Sequence, residues 1–283
     1  MARFVQKLLP KRFRKKKVLI PVVRLHGAIM AGSAGMGRQS VSMAAVAPLL
    51  KKAFERSKAP VVAIEVNSPG GSPVQSRLIY RRIRELAAKH DKKVLVFCED
   101  VAASGGYMIA CAGDEIIADP SSIVGSIGVV SGGFGFVDLI RRIGVERRVY
   151  TAGQNKATLD PFQPEKPEDV AHLKSLQLDI HAIFIDLVRK SRGDKLANDP
   201  ELFSGLFWSG GKGLELGLVD RLGDLHGVLT ERFGEDVELE VIQAKKGFFS
   251  GLVGFGAEAR SAALVRNLAD VAEEKSLWGR YGL

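Results

Sequence analysis

The sequence predicts an α/β domain with a largely parallel sheet flanked by helices. Two observations carry this: short β-branched apolar runs alternate with amphipathic helical segments, and glycine-bearing turns fall where those runs end. With 283 residues, 46% of them hydrophobic, the chain is long enough to bury a sizeable core.

In chain order, residues 18 to 27 (VLIPVVRLHG), 60 to 67 (PVVAIEVN), 92 to 99 (KKVLVFCE) and 114 to 120 (DEIIADP) read as strands covered on both faces. Residues 42 to 57 and 72 to 90 place apolar side chains at helical spacing with basic outer faces. After the turn DVAAS, residues 105 to 113 (GGYMIACAG) predict a short helix. VERRVY, residues 145 to 150, reads as a strand leading into a glycine turn. Residues 166 to 193 predict a long amphipathic helix opened by Pro167 and closed by Gly193, and residues 237 to 244 (VELEVIQA) a last strand.

Lys and Arg outnumber Asp and Glu by 41 to 32, but eight of the basic residues lie in residues 1 to 17, which hold no acid. The basic character therefore belongs to an N-terminal arm, and three parts are expected: the arm (1–17), a main α/β domain (18–244) and an amphipathic extension (245–283). Pro21 and Arg24 interrupt the apolar run after the arm, which excludes a signal core or membrane helix there. A cytoplasmic location is expected, with the arm either a solvated tail or a peripheral contact to anionic lipid on the inner face of the cell membrane. No aromatic ladder accompanies the charges, so nucleic acid is not an expected partner. In the extension, Phe248, Phe249, Leu252, Val253 and Phe255 beside Lys245 and Lys246 suggest contact with another subunit ahead of lipid. Cys98 and Cys111 read as reduced core residues. The chain has no HExxH and no Cys/His cluster, so neither metal nor cofactor is expected.

Functional groups in parallel sheets gather at the carboxyl ends of strands. EVNSPGGSP (65 to 73) ends a strand in Gly70 and Gly71, which suits an ordinary turn or bare N–H groups for an oxyanion. In VAASGGYMIACAGDE (101 to 115), Ser104 stands at a helix start, a place for an N-cap or for a nucleophile whose oxyanion meets the helix dipole. Gly105 and Gly106 would leave room for substrate. The histidines give no base: His26 ends a strand, His90 ends a helix, His172 and His181 lie on the long helix, and His226 begins another. A lysine can serve when its amine is desolvated. GQNKA sets Lys156 among small uncharged residues, a position equally compatible with a surface lysine.

The ordered series NSPGG, ASGGYMIA, GSIGV (125 to 129), GQNKA and FWSGGKGLELGLVDRLG (207 to 223) resembles the bacterial signal peptide peptidase (protease IV) family of serine–lysine peptidases, over roughly residues 18 to 235. The resemblance implies a Clp protease/crotonase-like fold, Ser104 as nucleophile and Lys156 as general base within one chain. It also implies Gly70, Gly71 and Gly105 as oxyanion donors, no cofactor, and short hydrophobic peptides such as leftover signal peptides as substrates of a ring-shaped homo-oligomer. Ser126 in GSIGV would support the lysine amine or stabilise its own turn. Many members of that family carry an N-terminal membrane anchor, whereas here the basic arm stands in that place. A crotonase-type acyl-CoA enzyme and a non-catalytic membrane-associated scaffold are the alternatives.

Overall fold

The computed structural model describes residues 18 to 31, 40 to 56, 58 to 243 and 275 to 283. The basic arm and the apolar cluster from Phe248 to Phe255 lie outside the described residues. Eight strands form one sheet: β1 (Leu19–His26), β2 (Val61–Ser68), β3 (Lys93–Ala103), β4 (Glu115–Ala118), β5 (Ile123–Gly125), β6 (Phe207–Ser209), β7 (Arg221–Leu222) and β8 (Glu238–Val241). The helices are α1 (Met43–Arg56), α2 (Pro73–His90), α3 (Gly105–Ala110), α4 (Val137–Arg142), α5 (Pro167–Arg192), α6 (Gly210–Glu215) and α7 (Leu225–Phe233).

The main strand order is β6-β5-β3-β2-β1-β8, with β4 joined to β3 and β7 to β4. Every pairing is parallel except β5 with β6. β3 forks the sheet. Its first half, Leu95 to Cys98, pairs with β4, and its second half, Val101 to Ala103, pairs with β5. The strand thus continues through the segment expected to be a turn. Val101, Ala102 and Ala103 are fully buried, and extended pairing satisfies their backbone groups where a turn would leave them orphaned. The register with β2 shifts between Val66 and Ser68. There Asn67 accepts from the Val101 N–H at 3.2 Å and donates to Asp100 at 2.7 Å, so the side chain fills the break in the ladder.

Helices cover both faces of the sheet. On one, Leu50 and Phe54 of α1, Ile79 and Ile83 of α2, Tyr107 of α3 and Phe184 of α5 pack on Val23, Ile64 and Val96. On the other, Leu225, Val228 and Leu229 of α7 cover Ile20, Leu95 and Phe97. Burying each such side chain is worth about 1.5–3 kcal/mol. α2 opens with Ser72, whose Oγ accepts from the Gln75 N–H, and with Pro73 at its first position. α5 carries Glu168 and Asp169 in its first turn and Arg189, Lys190 and Arg192 in its last, as the helix dipole favours, and stops at Gly193 with φ 53°.

VERRVY departs from expectation. Residues 145 to 150 are exposed and form no strand, since no neighbouring strand offers them a ladder. They belong to an outlying lobe with α4, which buries none of its residues. The lobe is held by Phe136 against Phe162 (5.4 Å) and by Arg147, which sits 4.7 Å over Phe162 and 3.0 Å from Asp160.

Arg192 ties α5 to the sheet. Its buried guanidinium donates twice to Asp220, at 2.7 and 2.9 Å, and to the Gly217 carbonyl at 2.9 Å. Burial pushes the Asp220 carboxyl up, but Arg192, Lys195 and the Ile116 N–H outweigh it and hold it at about 2. Asp220→Ala strands a buried cation and is expected to lower stability by about 3–5 kcal/mol in urea unfolding. A depressed carboxylate stabilises above its unfolded pKa of about 4 and loses that contribution as pH falls through its folded value. The gap between wild type and Asp220→Asn should therefore narrow from pH 4 towards pH 2.

Candidate active site

Ser104 is the single residue between the end of β3 and the start of α3, with φ 52° and ψ −121°. Non-glycine residues avoid this backbone, at a cost on the order of 1–3 kcal/mol. Its surroundings leave no other choice. The Ser104 N–H donates to the Gly125 carbonyl at 2.8 Å. Gly70, with φ 101°, lies so close that a Cβ there would come within 2.7 Å of the Ser104 Cβ. One turn on, the buried Tyr107 hydroxyl donates to the Leu218 carbonyl at 2.7 Å and pins α3. The Ser104 hydroxyl makes no capping hydrogen bond. A strained strand-to-helix elbow that presents a hydroxyl above the sheet is the geometry of a serine nucleophile.

The glycines after Ser104 serve packing more than access. A Cβ on Gly105 would meet Ser76 Oγ at 2.3 Å, and one on Gly106 the Ser68 carbonyl at 2.6 Å. α3 can therefore start this close to β2 and α2 only without side chains. The Pro-Gly-Gly turn is fixed from the other side: the Ile29 N–H donates to Gly70 O (2.8 Å) and the Ser72 N–H to Ile29 O (2.7 Å). Gly71, with φ 135°, leaves no room for a side chain, its Cβ falling 2.1 Å from the Ile29 carbonyl. The Gly70 N–H donates to Ser68 Oγ at 3.2 Å. Those of Gly71 and Gly105 meet no acceptor among the described residues, and both residues border the Ser104 cavity.

That cavity has a volume of about 370 Å³. Its walls are chiefly apolar: Ile29, Met30, Met108, Val129, Val130, Ile180 and Phe184 from the body, and Leu277 from the far end of the chain, where Arg280 also borders it. Ser126 is buried one residue past Gly125, with φ 53° and its N–H donating to Leu206 O at 2.8 Å, and it does not line the cavity. Lys156 is not brought to this cavity. It stands exposed on the outlying lobe, its N–H closing a turn onto Gly153 O at 3.3 Å.

No histidine borders the cavity. His181 instead meets the Ile127 carbonyl at 2.9 Å and braces the GSIGV turn, a role its place on a long helix did not disclose. His26, Glu65 and Glu99 bring potential metal ligands within 4.8 Å of one another. Arg24 already occupies Glu65 at 2.5 Å, so a cation there would compete with a guanidinium. Burial pushes the Glu99 carboxyl up. Cys98 and Cys111 are buried thiols pushed up to about 12 by burial, core residues and not nucleophiles.

An elbow serine beside two backbone donors that meet no acceptor among the described residues, on a forked parallel sheet of the Clp protease/crotonase type, is an arrangement suited to serine hydrolysis. The chain belongs to peptidase family S49, whose pattern matches residues 87–239. A relative from Synechocystis sp. named as a protease is 32% identical over 88% of this chain and 87% of its own length. Protease 4 of Haemophilus influenzae is 32% identical over 73% of this chain and 33% of its own. A Brucella melitensis protein named Na(+)/H(+) antiporter NhaA is 60% identical over 99% of this chain, which spans 39% of that protein. No helix among the described residues is long and apolar enough to cross a membrane.

Gly105→Ala is expected to lose about 1–3 kcal/mol through its clash with Ser76 Oγ. Adding Ser76→Ala, which removes the 2.3 Å contact and leaves Ile29 Cδ1 at 3.3 Å and the Ser76 Cβ at 3.4 Å, should recover most of the loss. Denaturant unfolding of the four proteins in this cycle measures the coupling.

Proposed function

We propose that this chain is a serine peptidase acting on short hydrophobic peptides, with Ser104 as nucleophile. The observation that carries the reading is the uncapped Ser104 hydroxyl, held at the elbow beside the Gly71 and Gly105 N–H groups, which meet no acceptor among the described residues. Ser104 Oγ attacks a peptide carbonyl carbon while its proton passes to a base. Gly71 and Gly105 donate to the developing oxyanion, each worth on the order of 3 kcal/mol. The C–N bond then breaks, the base returns the proton to the leaving amine, and water cleaves the acyl ester to release a carboxylate. The apolar walls support hydrophobic side chains in the substrate, and the engaged Gly70 N–H leaves that residue to shape the turn.

Lys156 is the proposed base, delivered by a second copy of the chain. Two features support this. Lys156 is absent from the lining of its own chain's cavity, and the lobe that carries it exposes Phe134, Ile143 and Tyr150. A lysine becomes a base when taken out of water, which burial of that lobe against a neighbour would accomplish. A homo-oligomer follows, with Ser126 near the elbow as a candidate to receive the lysine amine. Contact of the basic arm with anionic lipid would bring such an assembly to membrane-derived peptides. The ion exchange named for the Brucella relative is said of a protein of which this chain spans 39%, and the elbow lies in the shared stretch.

Cleavage of hydrophobic peptides by wild type, Ser104→Ala and Lys156→Ala tests the reading. Each variant should lose at least about a thousandfold in kcat. Mixing the two inactive variants should restore a fraction of the activity, because intact Ser104 and intact Lys156 then meet across a boundary. A mixture that assembles yet stays inactive would place the base within one chain. Full activity in Lys156→Ala would remove it from the mechanism.

A further inference from the structure

The end of the chain is part of the Ser104 site. Tyr281 is buried, with its ring edge-on to Phe207 at 5.0 Å and its hydroxyl making a long hydrogen bond, 3.4 Å, to the carbonyl of Pro69, the residue before Gly70. Trp278 packs with Val101 and Ala103, the last turn of strand before Ser104. These two aromatic anchors hold residues 277 to 281 across both halves of the site, the Pro-Gly-Gly turn and the end of β3. Leu277, just before the first anchor, and Arg280, between the two, border the cavity.

Arg280 is the one charged residue among the described residues that border this cavity. Its guanidinium lies 6.0 Å over the Tyr281 ring and forms no ion pair with a described residue. Arg280 is exposed to solvent at the rim of this cavity, and its guanidinium, unpaired among the described residues, matches a carboxylate bidentately. A rounded cavity of this volume is about 9 Å across, the length of two or three extended residues at about 3.3–3.6 Å each. The anion it meets on a bound peptide is therefore within a few residues of the scissile bond.

Resting on the peptidase reading above, we infer that Arg280 is a specificity residue that selects peptides carrying a carboxylate a few residues from the bond cut. The free C-terminal carboxylate of a short peptide is one source, and an Asp or Glu side chain is the other. The first makes the enzyme a trimmer of short C-terminal pieces, while the second makes it a reader of internal acidic residues.

Three matched sets of hydrophobic peptides test this: free acids, their C-terminal amides, and amides bearing one Glu. For wild type, kcat/KM for acids should exceed that for amides by about tenfold or more, mostly through KM, with the advantage shrinking as salt is raised. In Arg280→Ala the ratio should fall towards one, Arg280→Lys should keep part of it, and Arg280→Glu should invert it. Thermal unfolding of each variant checks that the fold persists. A preference for Glu-bearing amides over neutral amides, with none for acids, assigns the side-chain source. Equal rates for all three sets in wild type, or a preference unchanged in Arg280→Ala, overturns the inference and leaves the peptidase reading standing. If wild type cleaves no peptide, the peptidase reading fails. Protection of Ser104 from a fluorophosphonate by acids but not by amides, lost in Arg280→Ala, then still decides the role of Arg280.

Discussion

Ser104 can hold φ 52° and ψ −121° only because the chain around it removes every relaxed alternative. Its N–H is committed to Gly125, its Cβ has Gly70 pressed against it, and the helix it begins is fastened at Tyr107. Each restraint comes from a different part of the sequence: the turn after β2, the turn after β5, and the stretch around Leu218. The strained residue is therefore the point on which distant segments agree. Strain of this size persists only where the surrounding packing over-determines it.

The sheet explains why those segments meet. β3 is long enough to pair with β4 along its first half and with β5 along its second, so its end projects past the body of the sheet to where β2 and β5 also finish. The Arg192–Asp220 pair fastens the far end of α5 to the turn that receives Tyr107, through Gly217 and Ile116. A charge pair more than a hundred positions from Ser104 in part, and close to its support in space, thus helps define the floor beneath α3.

The strands and long helices were legible because their signals are local: β-branched runs for β1 and β2, apolar side chains at helical spacing for α2, Pro167 and Gly193 around α5. The unusual backbone at Ser104, Gly70 and Gly71 was legible because glycine and serine in an apolar run mark it. What failed depended on partners. DVAAS looked like a turn until β5 was there to pair with it, and VERRVY looked like a strand although nothing lies beside it. Gly105 and Gly106 read as open space, whereas they mark contact with Ser76 and Ser68. Lys156 could be picked out by its motif, but its position relative to Ser104 is a matter of tertiary placement. The wall made by Leu277 and Arg280 had no local signal at all, since its meaning comes from Pro69 and Val101, far away in the chain.

The fork in β3 also bears on how the protein comes apart. Its core half and its elbow half are one continuous strand, hydrogen-bonded on both edges and buried throughout from Val101 to Ala103. Ser104 consequently belongs to the same cooperative unit as the centre of the sheet, not to a loop that opens by itself. The Ser104 amide proton, bonded to the Gly125 carbonyl, would exchange only when the whole domain opens, so the geometry of the elbow and global folding rise and fall together in this chain.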